Sequence, residues 1–201
     1  MFGRLVDGIH VLEGVADHAN PPIQMRPQRH LNRLLDRHKF FDHLRRAIVR
    51  NEGVGGGLAL LVMALDPFIV AVSSDAWDER EEVRMVTAGR LIGCLHHAYV
   101  TARITGDEFL VLAEGIGDVG NAIELSEQIL MAVRWPEDLL VEEKSVTASI
   151  GIAFQGSRTT AERLLINADI AMYSARSGGG NRCQVFEEWM AGDALAMPLA
   201  N

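Results

Sequence analysis

Hydrophobic positions along the chain fall into two kinds of run. Some recur every three to four residues and others are continuous or alternating, and their order outlines a domain. From Met1 to Ala19 the apolar residues have helical spacing, and NPPIQMRP, Asn20 to Pro27, breaks that helix with prolines and acts as a linker. A new unit begins near Arg29. In RHKFFDHLRRAIVR, Phe40, Phe41, Leu44 and Ile48 mark one face of a helix, which the glycines of NEGVGGG terminate. LALLVMAL then has no polar position, the mark of a strand covered on both faces. A helix is expected over Asp78–His97, then two short strands, Tyr99–Ile104 and Glu108–Ala113, folded back around Thr105-Gly106-Asp107-Glu108. A helix from about Asp118 to Val133 follows. SVTASIGIAF alternates and is β-branched, so it is read as a strand. TTAERLLINADIAMYSARSGG reads as a helix with Thr159 or Thr160 as N-cap, ending on Gly178, and CQVF closes the unit with a short strand. The order β-α-β-β-α-β-α-β predicts an α+β fold, a central and mostly antiparallel sheet flanked by helices. The chain thus divides into an N-terminal helix and linker (1–28), one domain (29–187) and a C-terminal tail (188–201).

Composition narrows the partners. With 201 residues, 48% of them hydrophobic, the chain can build one domain with a substantial core, and disorder is excluded. A formal net charge of −8 argues against a nucleic-acid or acidic-membrane binder, because counterion release needs clustered Lys and Arg, which here gather only between Arg26 and Arg50. Cys94 and Cys183 are far apart and form no CxxC, so neither a disulfide framework nor a zinc site is indicated, and a reduced, cytoplasmic compartment fits. The longest apolar run, Gly57 to Leu65, is too short to span a bilayer, and the N-terminus lacks the pattern of a signal peptide.

Several residues could carry chemistry. Asp107 and Glu108 stand side by side at the tip of a tight hairpin, where they either solvate the turn or hold a metal ion that in turn holds a phosphate. Asp66, at the end of the buried strand, could meet that tip and share the cation, or simply end the strand in an Asp-Pro turn. His38 with His43, and His96 with His97, lack the i, i+4 spacing of a helical ligand pair and read as solvated. SGGGN, Ser177 to Asn181, could cradle a phosphate in its amides or serve as a helix C-cap and turn.

RITGDEFLVL resembles the signature hairpin of the GGDEF family, the diguanylate cyclases of bacterial cyclic-di-GMP signalling. LNRLLDRHKFFDHL is similar to the family's entry segment LTGLPNRxxFxxxL, and LLVMALDPF takes the place of LLLDLDxFK. VTASIGIA and NADIAMYSARSGGGNR are close to VTxSIGIA and ADxAMYxAKxxGRNR. The likeness runs unbroken from about Arg29 to Phe186. It implies a nucleotidyl cyclase, palm-type fold, in which two GTP molecules, one per subunit of a dimer, are joined with release of pyrophosphate, assisted by Mg²⁺.

Residue by residue, the resemblance assigns the catalytic and metal-holding acidic pair to Asp107 and Glu108. It assigns nucleotide contacts to Arg103, Gly106 and Arg176. Other parts are replaced. The first metal-binding Asp falls on Ala64, which weakens the expected Mg²⁺ site, and Asp66 matches the second Asp of DLD, a packing residue. Ile69 stands for a phosphate-binding Lys, Val72 for the guanine-reading Asn, Glu81 for the second guanine-reading acid, Gly180 for a phosphate-binding Arg and Thr105 for the first Gly. His96 and Tyr99 occupy the two positions of the RxxD product-inhibition motif. These replacements point to a degenerate member that works as a regulatory or protein-interaction module with weak GTP binding at most. The alternatives are an active diguanylate cyclase and a GTP-binding sensor that acts on a separate phosphodiesterase.

Phe2, Leu5, Ile9, Leu12, Ala16 and Ala19 are spaced 3, 4, 3, 4 and 3 residues apart, the alternation of a coiled-coil seam, against which Gly3, Gly8 and Gly14 weaken the helix. A homodimer through this segment is expected, the alternative being a helix folded back on its own domain. Sedimentation of the full chain should give a larger particle than that of a chain starting at Gln28; equal oligomeric states would remove the idea.

Overall fold

The computed structural model describes residues 34–52, 57–67, 76–134 and 146–196. The expected N-terminal helix and linker, and positions Ile69 and Val72, lie outside the described residues. The elements are β1 (Leu34–Leu35), α1 (Arg37–Asn51), β2 (Leu58–Leu65), α2 (Ala76–Cys94), β3 (Val100–Arg103), β4 (Glu108–Glu114), α3 (Val119–Val133), β5 (Ala148–Phe154), α4 (Ala161–Ser177), β6 (Arg182–Val185) and α5 (Glu188–Ala196).

Three helices start where a short polar side chain offers an acceptor to the otherwise unpaired amides of the first turn. Asp36 accepts from the Lys39 amide at 2.9 Å, Asp118 from the Asn121 amide at 2.9 Å and Thr160 from the Arg163 amide at 3.2 Å. Of the two threonines offered by the sequence, Thr160 is the cap and Thr159 turns back to accept from the Gly156 amide.

The strands form one six-stranded sheet in the order β1-β3-β4-β2-β5-β6. The inner pairings, β3–β4, β4–β2 and β2–β5, are antiparallel, while the edge strands β1 and β6 join in parallel. The predicted class, a mostly antiparallel sheet flanked by helices, is the one observed. All eight residues of β2 are buried because helices cover both faces of the sheet. Ala59, Leu61, Met63 and Leu65 point into one core with Val83 and Leu91 of α2 and Ile129 of α3. Leu58, Leu60, Val62 and Ala64 point into the other with Phe40 and Leu44 of α1 and Leu164 and Ala168 of α4.

Two elements differ from the sequence reading. β1 escaped notice because two residues cannot show alternation; it exists only as a parallel partner of Thr101 and Ala102. The segment expected as a tail forms α5, which packs on α4 and buries Met190. Smaller shifts are of the usual kind: the helix expected over Asp78–His97 runs Ala76–Cys94.

α4 lies so close to β5 that a Cβ on Gly151 would stand 1.9 Å from the Ala168 carbonyl oxygen and 2.1 Å from the Met172 amide nitrogen. Backbone cannot yield there as a flexible side chain could. Gly151→Ala should therefore cost about 3 kcal/mol of stability in guanidinium unfolding. Gly93→Ala, where a Cβ on helix α2 meets nothing within 4 Å, should gain about 0.5 kcal/mol.

Candidate functional site

The carboxyl end of β2 lies between the hairpin and β5. Its register sets Ala64 opposite Glu108 on one side and opposite Ser149 on the other. The strand end is tied to both neighbours: the Leu65 amide donates to the Asp107 carbonyl at 3.0 Å and the Asp66 amide to the Thr147 carbonyl at 2.9 Å. The hairpin closes with the Ile104 amide on the Glu108 carbonyl at 2.9 Å, and the Thr105 hydroxyl donates to the Glu108 carboxylate at 3.2 Å. Neither Thr105 nor Gly106 has a positive φ, so the turn accepts a threonine where a glycine is usual without backbone strain.

Helix α2 brings two charged side chains onto this tip. Arg84 Nε donates to Asp107 Oδ1 at 2.6 Å, and its Nη1 reaches Glu81 Oε2 at 3.4 Å. Arg103, on β3, holds the same Glu81: Nη1 and Nη2 each lie 3.1 Å from Oε1, with Nη2 also 3.3 Å from Oε2. Its Nε donates to the Thr105 and Gly106 carbonyls at 3.2 and 3.3 Å. Two guanidinium groups thus meet two carboxylates, and the charges cancel. The contact is close: a Cβ on Gly106 would lie 3.1 Å from Arg84 Cζ. Only 14% of the Arg84 side chain is exposed, and its bond to Asp107 holds its pKa above the ordinary guanidinium value.

A second group forms around Asp66. Its oxygens accept from the Thr147 hydroxyl at 2.7 Å, the Ser149 hydroxyl at 2.5 Å and the Asn181 amide at 2.9 Å. Of the two readings offered for Asp66, shared cation or structural turn, this partner set fits the structural one. Arg176 stands 3.9 Å from the same carboxylate and donates through Nη2 to the Leu65 carbonyl at 2.7 Å. The amides of SGGGN are also engaged: those of Gly178, Gly179 and Gly180 bond to carbonyls in the last turn of α4, and that of Asn181 to Asp66. The phosphate-cradle alternative for this stretch gives way to the C-cap and turn, with Gly179, Gly180 and Asn181 all at positive φ.

Asp169 of α4 links the two groups. Asp169 is exposed as a residue, yet partial desolvation of its carboxyl pushes the pKa up, the Glu108 carboxylate raises it further, and Arg176 partly offsets both. The structure therefore gathers Arg103, Gly106 and Asp107 into one cluster and sets Arg176 beside Asp66 in another, while Asp169 is electrostatically coupled to Glu108 and to Arg176. Sequence reasoning did not single out Arg84 or Asp169. The Glu81–Arg84 spacing was a signal for a helical ion pair; nothing local announced Asp107 as its third member.

Magnesium does not fit this donor set. Ala64 offers no side-chain oxygen opposite Glu108, the Asp107 carboxylate is engaged by Arg84, and no three His, Cys, Asp or Glu side chains among the described residues converge as metal ligands.

Comparison with known proteins agrees with the hairpin and the topology. Residues 30–182 match the family described as diguanylate cyclase, GGDEF domain, and the chain belongs to that family. It is 31% identical over 173 residues to the bifunctional diguanylate cyclase/cyclic di-GMP phosphodiesterase MucR of Pseudomonas aeruginosa, covering 86% of this chain and 25% of MucR. It is 29% identical over 184 residues to the cyclic di-GMP phosphodiesterase NbdA of the same organism, covering 89% of this chain and 23% of NbdA. The chain thus spans about a quarter of the length of these relatives. The crystal structure of the GGDEF domain of YfiN from Pseudomonas aeruginosa superposes with a TM-score of 0.63 at 26% identity, over 77% of this chain and 97% of that one. Among the described residues no helix is long and apolar enough to cross a membrane.

The Asp169 carboxyl should titrate above its ordinary value of 3.8 in a carbon-detected NMR titration. Because the folded pKa is raised, its contribution to stability is present below the ordinary value and fades as pH rises through the raised one. Glu108→Gln should move the midpoint down and Arg176→Met should move it up; no response to either change would show that the three groups are not coupled.

Proposed function

We propose that this chain is a GGDEF domain of cyclic-di-GMP signalling that lacks cyclase chemistry and works as a regulatory or protein-interaction module, with weak GTP binding at most. One observation carries the reading: the acidic hairpin already has its counter-charge, Arg84 on Asp107, while the residue opposite Glu108 is the carboxylate-free Ala64. In phosphoryl-type transfer the protein supplies chiefly charge neutralisation and in-line positioning, so those two changes remove the parts that matter most. Arg103 and Arg176, the residues matched to nucleotide contacts, are committed to Glu81 and to the Leu65 carbonyl.

A second reading, a GTP-binding sensor that acts on a phosphodiesterase, is favoured by NbdA, a named phosphodiesterase that this chain matches over 89% of its own length. In that case the domain binds guanine nucleotide without converting it. Tight, guanine-selective binding in calorimetry would establish the sensor reading over the inert module.

The wild-type protein, given GTP with Mg²⁺ or Mn²⁺, should make no cyclic-di-GMP detectable by mass spectrometry. Ala64→Asp alone should not bring it back, because a misplaced triphosphate reacts slowly and an error of about 1 Å can cost 10²-fold. Ala64→Asp, Ile69→Lys and Val72→Asn together restore the replaced positions, and with Arg84→Met, which frees Asp107, they form the smallest set expected to restore turnover. Product from the unmodified protein, lost on Glu108→Ala, would establish the active cyclase instead.

A further inference from the structure

We propose that Arg84 is a resident cation of the hairpin, holding Asp107 so that the domain binds no divalent ion at Asp107 and Glu108 while this guanidinium is in place. The inference rests on the regulatory reading and supplies its physical cause. Three features, from α2 and the hairpin, agree. Arg84 Nε meets Asp107 Oδ1 at 2.6 Å, and the side chain that carries it is 14% exposed. Glu81, one helical turn away at 3.4 Å, anchors the other end of the guanidinium and is itself gripped by Arg103, so it cannot follow Arg84 elsewhere. Gly106 has no Cβ, which leaves room for the guanidinium against the turn.

The exchange is one-sided for chemical reasons. A guanidinium stays charged at any physiological pH and is tethered to the chain, so its local concentration never falls. A magnesium ion must shed water reluctantly and requires near-ideal octahedral oxygen geometry. To enter here it would have to drive Arg84 off Asp107 and leave that positive, mostly enclosed group beside a dication. It would find no carboxylate at Ala64 in return. The site is thus satisfied without a ligand, and metal binding becomes a displacement instead of a filling.

Titrating the full chain with Mn²⁺, followed by electron paramagnetic resonance, tests this. The wild type should leave Mn²⁺ free at concentrations where Arg84→Met binds it at least tenfold more tightly, and adding Asp107→Asn to Arg84→Met should abolish that gain. In the wild type, the Arg84 Nε–H resonance in a nitrogen-15 NMR spectrum should be unmoved by Mg²⁺, a readout that needs no variant to fold. Mn²⁺ binding to the wild type as tight as to Arg84→Met would overturn the proposal. So would a folded Arg84→Met that binds none, or an Arg84 resonance displaced by Mg²⁺. Wild-type metal binding without cyclic-di-GMP would remove this inference alone; cyclic-di-GMP from the wild type would remove the regulatory reading as well.

Discussion

β2 is hydrogen-bonded along both edges and covered on both faces, and the rest of the domain is arranged around that constraint. A strand with eight buried side chains and no polar position can sit only in the middle of a sheet with helices on either side. Each leucine it buries contributes about 1.5–3 kcal/mol, so slipping its register by one residue, which exchanges the two cores, is strongly disfavoured. That rigidity fixes the geometry at its carboxyl end. There the acidic hairpin, β5 and the turn after α4 are held against Leu65 and Asp66 by backbone and side-chain bonds.

The same strand end has a fixed place but a changed content. Carboxylates gathered at a sheet end repel one another unless something positive joins them, and a protein can recruit that charge from solution or build it in. Here it is built in. Arg84 and Arg103 neutralise Asp107 and Glu81 on the α2 side, while Arg176 stands near Asp66 on the α4 side. Asp169 is coupled to Glu108 and to Arg176, and its carboxyl pKa is raised first by desolvation and then by the Glu108 carboxylate, which Arg176 only partly offsets. Residues that resemble parts of a substrate site are members of an ion-pair network in this domain.

Most of the fold was legible because burial on two faces imprints itself on the sequence. The continuous run of β2, the helical stripe of Phe40, Leu44 and Ile48, the helix start near Asp118 and the polar cap at Thr160 each have a local physical cause, and each appeared where the pattern placed it. β1 is too short for any period, and α5 has no strong apolar stripe to advertise it, so both depend on tertiary contacts that no window of sequence contains. The site divides the same way. Asp107 and Glu108 were read from a motif, and the register of Ala64 against Glu108 follows from the strand pairing. The bond from Arg84 to Asp107 joins residues 23 apart and exists only because α2 lies over the hairpin. Arg103 was assigned to nucleotide contact by resemblance, and in this structure it bonds to Glu81 and two carbonyls.

The two-residue β1 and four-residue β6 give the sheet short borders. An open border is a row of unpaired amides and carbonyls, which another chain can extend by adding a strand of its own, and its length sets how many such bonds the newcomer can make. Borders of two and four residues offer few. Among the described residues the sheet is therefore a poor template for strand addition and for edge-to-edge aggregation.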